Sequence, residues 1–371
     1  MALSAARIEA GTPDTWLRYR DNLARHLIGI SRDFQSRLHQ SLSEECGFEN
    51  LRLSFGPLLA MIWKRTPPLG DVAQQLGISG QAASQLANLI EDAGYLERVP
   101  NPLDRRSKLL KLTPRGEKLV GEAVRITGET EREYAALAGP KAYGKFTGAL
   151  SRLYRGLDLH ARREPEPPAR ASHSVAVLVL IAERIQSDLM EATTARGHGG
   201  LKMSHGRVLP LIGPEGGRIH EIARIQHVSR QAMSATTQDL QSLGYLQREP
   251  DPRDRRGAVL KLTPRGIALI EDAVAALDDQ ERGLLEILGK TQLAELQRVA
   301  RNLYRALHLE AEVFETGATA HAPPSRGGTD ALHRSGREIE DLAERLRQWL
   351  GRNDAARLAT VLERRTKRMM T

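Results

Sequence analysis

The sequence predicts a mainly α-helical protein in which one domain is used twice, each copy carrying a small β-hairpin. Three observations lead there. Residues 94–116, GYLERVPNPLDRRSKLLKLTPRG, align without a gap over 244–266, GYLQREPDPRDRRGAVLKLTPRG, with 16 identities in 23 positions. The 150-residue offset persists on both sides: LGDVAQQLGISGQAAS (69–84) lies over IHEIARIQHVSRQAMS (219–234), and LYRGLDL (153–159) over LYRALHL (303–309). Aromatics make up only 4% of a chain that is 40% hydrophobic and rich in Leu, Ala and Arg, a composition suited to packed helices. The 371 residues suffice for two domains, each with a core. Two copies are too few for a solenoid.

The elements follow in order. Leu23, Leu27 and Ile30, continued by Phe34 and Leu38, space out a long first helix. FGPLLAMIW (55–63) reads as a short buried helix, and PPLG (67–70) breaks it. GDVAQQLGIS then holds a short helix with Val72, Ala73 and Leu76 inward, ended by Gly77 where a positive φ is cheapest. Ser79 is a natural N-cap for a helix over 80–93. In that helix Ala83, Ala87 and Ile90 share one face, while Gln81, Ser84, Gln85 and Asn88 fall largely on another. Two short helices joined by a glycine turn, the second polar outward, form a helix-turn-helix. After Gly94, YLERV and KLLKL alternate as a hairpin around the polar tip PNPLDRRS. Thr113-Pro114 restarts a helix, with Thr at N-cap and Pro at N1. Long helices run on to about residue 160. Copy two repeats each step with Ser229, Gly244 and Thr263-Pro264.

The expected boundaries are 14–160 for domain one, a Pro-rich linker at 161–172 (ARREPEPPARAS), and 173–312 for domain two. A flexible linker at 313–330 and a basic helical tail at 331–371 complete the chain. The tail shows helical spacing at Ile339, Leu342, Leu346 and Leu350, and has no counterpart in the repeat.

Charge is focused. The net +8 gathers in 97–116 (six basic, two acidic residues), 247–266 (six and three) and 331–371 (ten and six), leaving the rest of the chain at −3. Such focusing suits a polyanion, although a solubilising surface would also be basic. No run approaches a membrane span, and the N-terminal stretch lacks the apolar core of a signal peptide. Cys46 is the only cysteine, so no internal disulfide forms. A cytoplasmic, nucleoid-associated protein is expected.

The helix-turn-helix, the Asp-Arg-Arg hairpin tip and the Leu-Thr-Pro-Arg-Gly restart together resemble the MarR family of winged helix-turn-helix transcription regulators. The resemblance covers about 300 of 371 residues, once per copy. It implies that the recognition helix enters the major groove, that a wing arginine reaches the minor groove, and that the neighbouring aspartate orients the wing. Asp104 and Arg106 take those roles in copy one, Asp254 and Arg256 in copy two, with Arg105 and Arg255 as further phosphate contacts. A guanidinium suits a narrow minor groove, though an Asp–Arg pair could equally be a surface ion pair. Base-edge candidates are Gln81, Ser84 and Gln85 in copy one, and Arg230, Gln231, Ser234 and Thr236 in copy two. Capping and solvation are the alternative roles, above all for Ser84 and Ser234.

The family works as homodimers. A fused pair implies an internal pseudo-dimer reading an imperfect palindrome in double-stranded DNA, with pairing of two chains copy to copy as the opposing arrangement. The expected function is sequence-specific transcription regulation, as a repressor relieved by a small ligand. The rival is a protein-interaction module built on winged helices. Relatives bind small aromatic acids or lipophilic compounds, and the sequence gives no clue to a ligand here. His220 and His227 flank the helix before the recognition helix, but copy one has Gly70 and Gly77 there, so no metal site is expected. Cys46 follows the first helix, whereas redox-sensing relatives carry the cysteine inside it, so no sensing role is expected. No nucleophile motif, phosphate loop or paired-carboxylate site stands out, and neither an enzyme nor a cofactor is expected.

Overall fold

The computed structural model describes residues 13–104, 107–159, 174–213, 216–226, 228–251 and 258–310. The two linkers, the tail, and the wing residues Arg105, Arg106, Asp254, Arg255 and Arg256 lie outside the described residues. Copy one comprises α1 (Pro13–Arg20), α2 (Leu23–Gln40), which runs into a π-helical turn at Ser41–Glu45, α3 (Phe55–Ile62), α4 (Leu69–Leu76) and α5 (Gly80–Asp92). The hairpin β1 (Leu96–Pro100) and β2 (Lys108–Leu112) follows, then α6 (Pro114–Ala138) and α7 (Pro140–Gly156). Copy two comprises α8 (Ser174–Ala195), α9 (His205–Ile212), β3 (Gly217–Arg218), α10 (Ile219–Ile225), α11 (Arg230–Ser242), β4 (Leu246–Pro250), β5 (Ala258–Leu262) and α12 (Pro264–Ala306). The α12 helix breaks at Gly289, where φ is 72° and ψ 161°. Gly139, at the same place in copy one, separates α6 from α7 with φ 83° and ψ 132°. A positive φ of this kind suits a residue without Cβ.

The long helices of both copies share one core. Leu27 and Ile30 of α2, Leu150 and Leu153 of α7, Leu178 and Ile181 of α8, and Val299 and Leu303 of α12 are buried in a single cluster. The α2 helix starts on Asn22, whose Oδ1 accepts the Arg25 amide at 2.9 Å. Its buried face, Leu23, Leu27, Ile30 and Phe34, keeps the spacing expected from the sequence. Both copies fall within one compact unit, and the internal pseudo-dimer is the observed architecture.

Two further cores sit in the winged heads. Head one (α3–α5, β1, β2) is built around Phe55, Leu58, Ile90 and Tyr95. Head two (α9–α11, β3–β5) is built around Leu209, Ile212, Leu240 and Tyr245, and it also takes in Trp16 and Tyr19 of α1. Helix α1 precedes the long helix expected to open the chain, and it packs on the head of the other copy. Arg20 Nε donates to the Pro210 carbonyl at 2.8 Å, and the Arg20 guanidinium lies 5.2 Å from the Trp16 ring. That carbonyl lies in the last turn of α9, and residue 214 is a proline without an amide to give it. Arg20 thus ties α1 to the last turn of α9.

The heads differ in their sheets as well. The β1–β2 hairpin is antiparallel, pairing Leu96 with Leu112 and Pro100 with Lys108. Copy two adds a strand, β3, to the expected hairpin, giving the order β3-β5-β4. Copy one has only a bridge there, Pro68 to Leu109, because proline brings no amide to a ladder. Between the copies, Lys145 Nζ meets Glu295 Oε1 at 3.1 Å. These residues occupy the same position in the two copies, 150 residues apart.

Candidate nucleic-acid interface

In copy one, α4 ends with Gly77 in the left-handed conformation, φ 65°, and Ser79 Oγ caps α5 by accepting the Ala82 amide at 3.1 Å. Ala83, Ala87 and Ile90 of α5 are fully buried, as is Val72 of α4. Small inward side chains let the two helices cross closely. The opposite face presents Gln81 and Gln85 exposed and Ser84 half-buried. Copy two repeats the device. Ser229 Oγ accepts the Ala232 amide at 3.1 Å, and Met233, Thr237 and Leu240 turn inward. Arg230 and Gln231 are exposed, with Ser234 and Thr236 half-buried. The Thr236 hydroxyl donates to the Ala232 carbonyl at 3.1 Å. It therefore faces outward chiefly as an acceptor and a methyl group.

The wings hang on a repeated joint. Thr113 Oγ1 accepts the Gly116 amide at 3.0 Å, capping α6, and donates to the Gly94 carbonyl at 2.7 Å. Thr263 does the same for α12, at 3.1 Å from Gly266 and 2.6 Å to Gly244. The last glycine of each Thr-Pro-Arg-Gly lies against a tyrosine carbonyl. A Cβ on Gly116 would sit 2.0 Å from Tyr95 O, and one on Gly266 would sit 2.2 Å from Tyr245 O. The tyrosines are fully buried, and their rings lie under Arg115 and Arg265, at 5.1 and 4.9 Å. Only glycine admits this contact between helix start and strand.

The two copies fasten their outward helices and wings differently, and sequence reading missed both fastenings. In copy one, Arg98 of β1 reaches α5: its guanidinium pairs with Glu91 and donates to Asn88 Oδ1 at 2.7 Å. In copy two, Arg218 of β3 grips Asp251 through two bonds, one of them 3.0 Å, and Asp251 is 4% exposed. Its hydrogen bond to Asp251 raises the Arg218 pKa further above its ordinary value. The recognition helix α11 is also tied from behind. Asp239 accepts Lys202 Nζ at 2.6 Å and lies 3.0 Å from His205 Nε2. The Lys202 hydrogen bond holds the Asp239 carboxyl below its usual pKa, and burial pushes the His205 pKa down. No sequence motif signals these pairs: the partners of Arg218 and Asp239 lie more than thirty residues away, and the seven residues from Glu91 to Arg98 cross a turn that sets helix against strand.

At the tip of wing one, Asp104 is exposed and its carbonyl accepts the Ser107 amide at 3.0 Å. His220 is exposed, and His227 lies outside the described residues. Among the described residues no group of three or more His, Cys, Asp or Glu is placed to hold a metal ion. Cys46 is half-buried, its Sγ 3.9 Å from Glu122 Oε2. Among the described residues no helix is long and apolar enough to cross a membrane.

The model of the MarR family matches residues 67–107 and 200–257, which contain both helix-turn-helix units. The LexA repressor of Deinococcus radiodurans is 38% identical over 69 residues, 19% of this chain and 31% of that protein. The chain thus spans under a third of the length of this relative. Among solved structures, the transcriptional regulator Tm0710 from Thermotoga maritima matches with 21% identity and a TM-score of 0.29, over 36% of this chain and 93% of its own. A MepR-like protein crystallised with pseudoligands matches with 22% identity and a TM-score of 0.25, over 36% and 92%. The MarR-family model thus matches one segment in each copy, and each segment holds a helix-turn-helix unit.

Proposed function

We propose that the protein is a sequence-specific repressor whose two heads bind the two half-sites of an imperfect palindrome in double-stranded DNA. The observation that carries this reading is the pairing of two capped recognition helices, each with its polar face outward, on one shared core. Two heads on a common core suit two half-sites about one helical turn apart, or a near multiple. The wing arginines Arg106 and Arg256 supply the minor-groove contacts, with Asp104 and Asp254 orienting them and Arg105 and Arg255 on phosphate. Gln81, Ser84 and Gln85 read one half-site, and Arg230, Gln231, Ser234 and Thr236 the other. Arg230, exposed at the first turn of α11, makes the second half-site the more guanine-dependent one. Repression fits the match to a LexA repressor. Release by a small ligand fits a cleft of about 480 Å³ between α1, α2 and α12, lined by Arg18, Asn22, His26 and Arg301 among others.

The test is selection of bound duplexes from a random pool, followed by binding at several salt concentrations. An asymmetric consensus and a steep loss of affinity with salt are expected. Arg106→Ala and Arg256→Ala should each cost about 1–3 kcal/mol of binding without unfolding the chain. A symmetric consensus would remove the division of labour between the heads. No binding at low salt to any genomic fragment would replace the DNA reading with winged helices retained for protein contacts.

A further inference from the structure

Leu103, at the tip of wing one, is 96% exposed. The next most exposed large apolar side chain among the described residues is Leu53, at 58%. A lone exposed leucine ordinarily calls for no explanation. This one is held out by a tip folded on itself. Asn101 Oδ1 accepts the Leu103 amide at 3.0 Å, and Asn101 Nδ2 donates to Ser107 Oγ at 2.7 Å. The Ser107 hydroxyl and amide both donate to the Asp104 carbonyl, at 3.2 and 3.0 Å. The backbone is committed to the turn, and the leucine side chain is left outside it.

Its setting selects an occupant. Asn101 and Asp104 flank it, Arg105 and Arg106 follow in sequence, and residues 97–116 carry six basic against two acidic side chains. A protein-docking leucine would sit within an apolar rim. This one sits on a basic hairpin, the setting for a polyanion that also offers apolar surface. The minor groove of a duplex is such a surface: phosphates line its edges, deoxyribose faces form its walls, and proteins enter it with leucine and other apolar side chains. At the equivalent position copy two has Arg253.

We propose that Leu103 is a minor-groove contact of wing one, its side chain seated against the deoxyribose walls, at a position where the sequence of copy two has Arg253. The inference rests on the DNA-binding reading above and adds to it a difference in kind between the wings. Wing one gains from apolar burial, which is insensitive to salt. Wing two gains from charge, which is favoured by a narrow groove and weakened by salt.

The test uses the full-length chain with two probes, the duplex recovered by selection and a mixed-sequence duplex, over a range of salt. Leu103→Ala is expected to weaken binding roughly tenfold, the order of a buried leucine's contribution, with the slope of log affinity against log salt unchanged. Leu103→Arg is expected to recover affinity at low salt and steepen that slope by about 0.9, the release accompanying one further phosphate contact. Thermal midpoints of both variants should match the wild type, because the side chain packs on nothing. If the wild type binds with salt dependence and Leu103→Ala binds equally well, this inference fails and the DNA reading stands. If the wild type binds neither probe, both fail together.

Discussion

Replacing Trp16 by alanine tests whether head two depends on the helix that opens the other copy. Trp16 is 7% exposed and sits in one cluster with Val208, Leu209, Ile212 and Ile222. Truncating a tryptophan so placed costs about 3–5 kcal/mol. The structure points to the low end. Helix α1 has eight residues, too few to persist unaided, so the cost cannot exceed that of releasing α1 altogether. Tyr19, 8% exposed, and the Arg20 bond to Pro210 keep part of its hold. A loss of about 3 kcal/mol is expected in urea unfolding. Amide hydrogen exchange read by peptide fragment then locates it: protection should fall in α9, α10 and the start of α12, and hold in α3, α4 and α5. Trp16→Phe should restore most of the loss. A cost under about 1 kcal/mol, or equal loosening of both heads, would refute the argument that α1 completes head two.

Two other perturbations follow from the geometry. Gly116→Ala should destabilise the chain by about 3 kcal/mol, as overpacking against immovable backbone does; Gly266→Ala should match it, and urea midpoints equal to wild type would show that the joints yield. Burial depresses the His26 pKa to about 4, against the opposing pull of Asp21, with Arg301 and Arg25 lowering it further. Because the unfolded chain takes up that proton first, the contribution is complete above about pH 6.5 and falls away toward pH 4, by up to about 3 kcal/mol. His26→Gln should flatten the pH dependence of the urea midpoint over that window, and an unchanged slope would show that His26 is not the group responsible.

Head architecture was legible in the sequence because its determinants are local. Ser79 and Thr113 cap their helices within three residues and Gly77 ends α4 where it stands, and the 150-residue repeat displays both caps and Gly116 a second time. The shared core was legible for a related reason, since Leu23, Leu27 and Ile30 announce a buried face whatever covers it. Helix α1 was not: Trp16 and Tyr19 are two aromatics three apart, and their partners lie some 190 residues away. The Arg98 clamp on α5 and the Arg218–Asp251 pair were hidden likewise, because an arginine on a strand reads as surface until its carboxylate is placed opposite. Thr236 shows the limit of reading by residue type. It lies on the outward half of α11, yet its hydroxyl proton is given to the helix backbone.

Lys145 and Glu295 face each other from equivalent positions. Identical subunits related by a twofold axis must be self-complementary: a residue beside the axis meets its own twin, and a lysine there would meet a lysine. Joining the subunits in one polypeptide lifts that restriction, since a codon change now alters one side of the axis alone. Two polypeptides that paired copy to copy would set Lys145 against Lys145 and Glu295 against Glu295. The pair is partly exposed and worth about 1 kcal/mol at most, so it contributes little to stability. Its weight falls instead on the choice between pairing the two unlike copies and pairing like copies from two chains, where exchanging attraction for repulsion counts against the second.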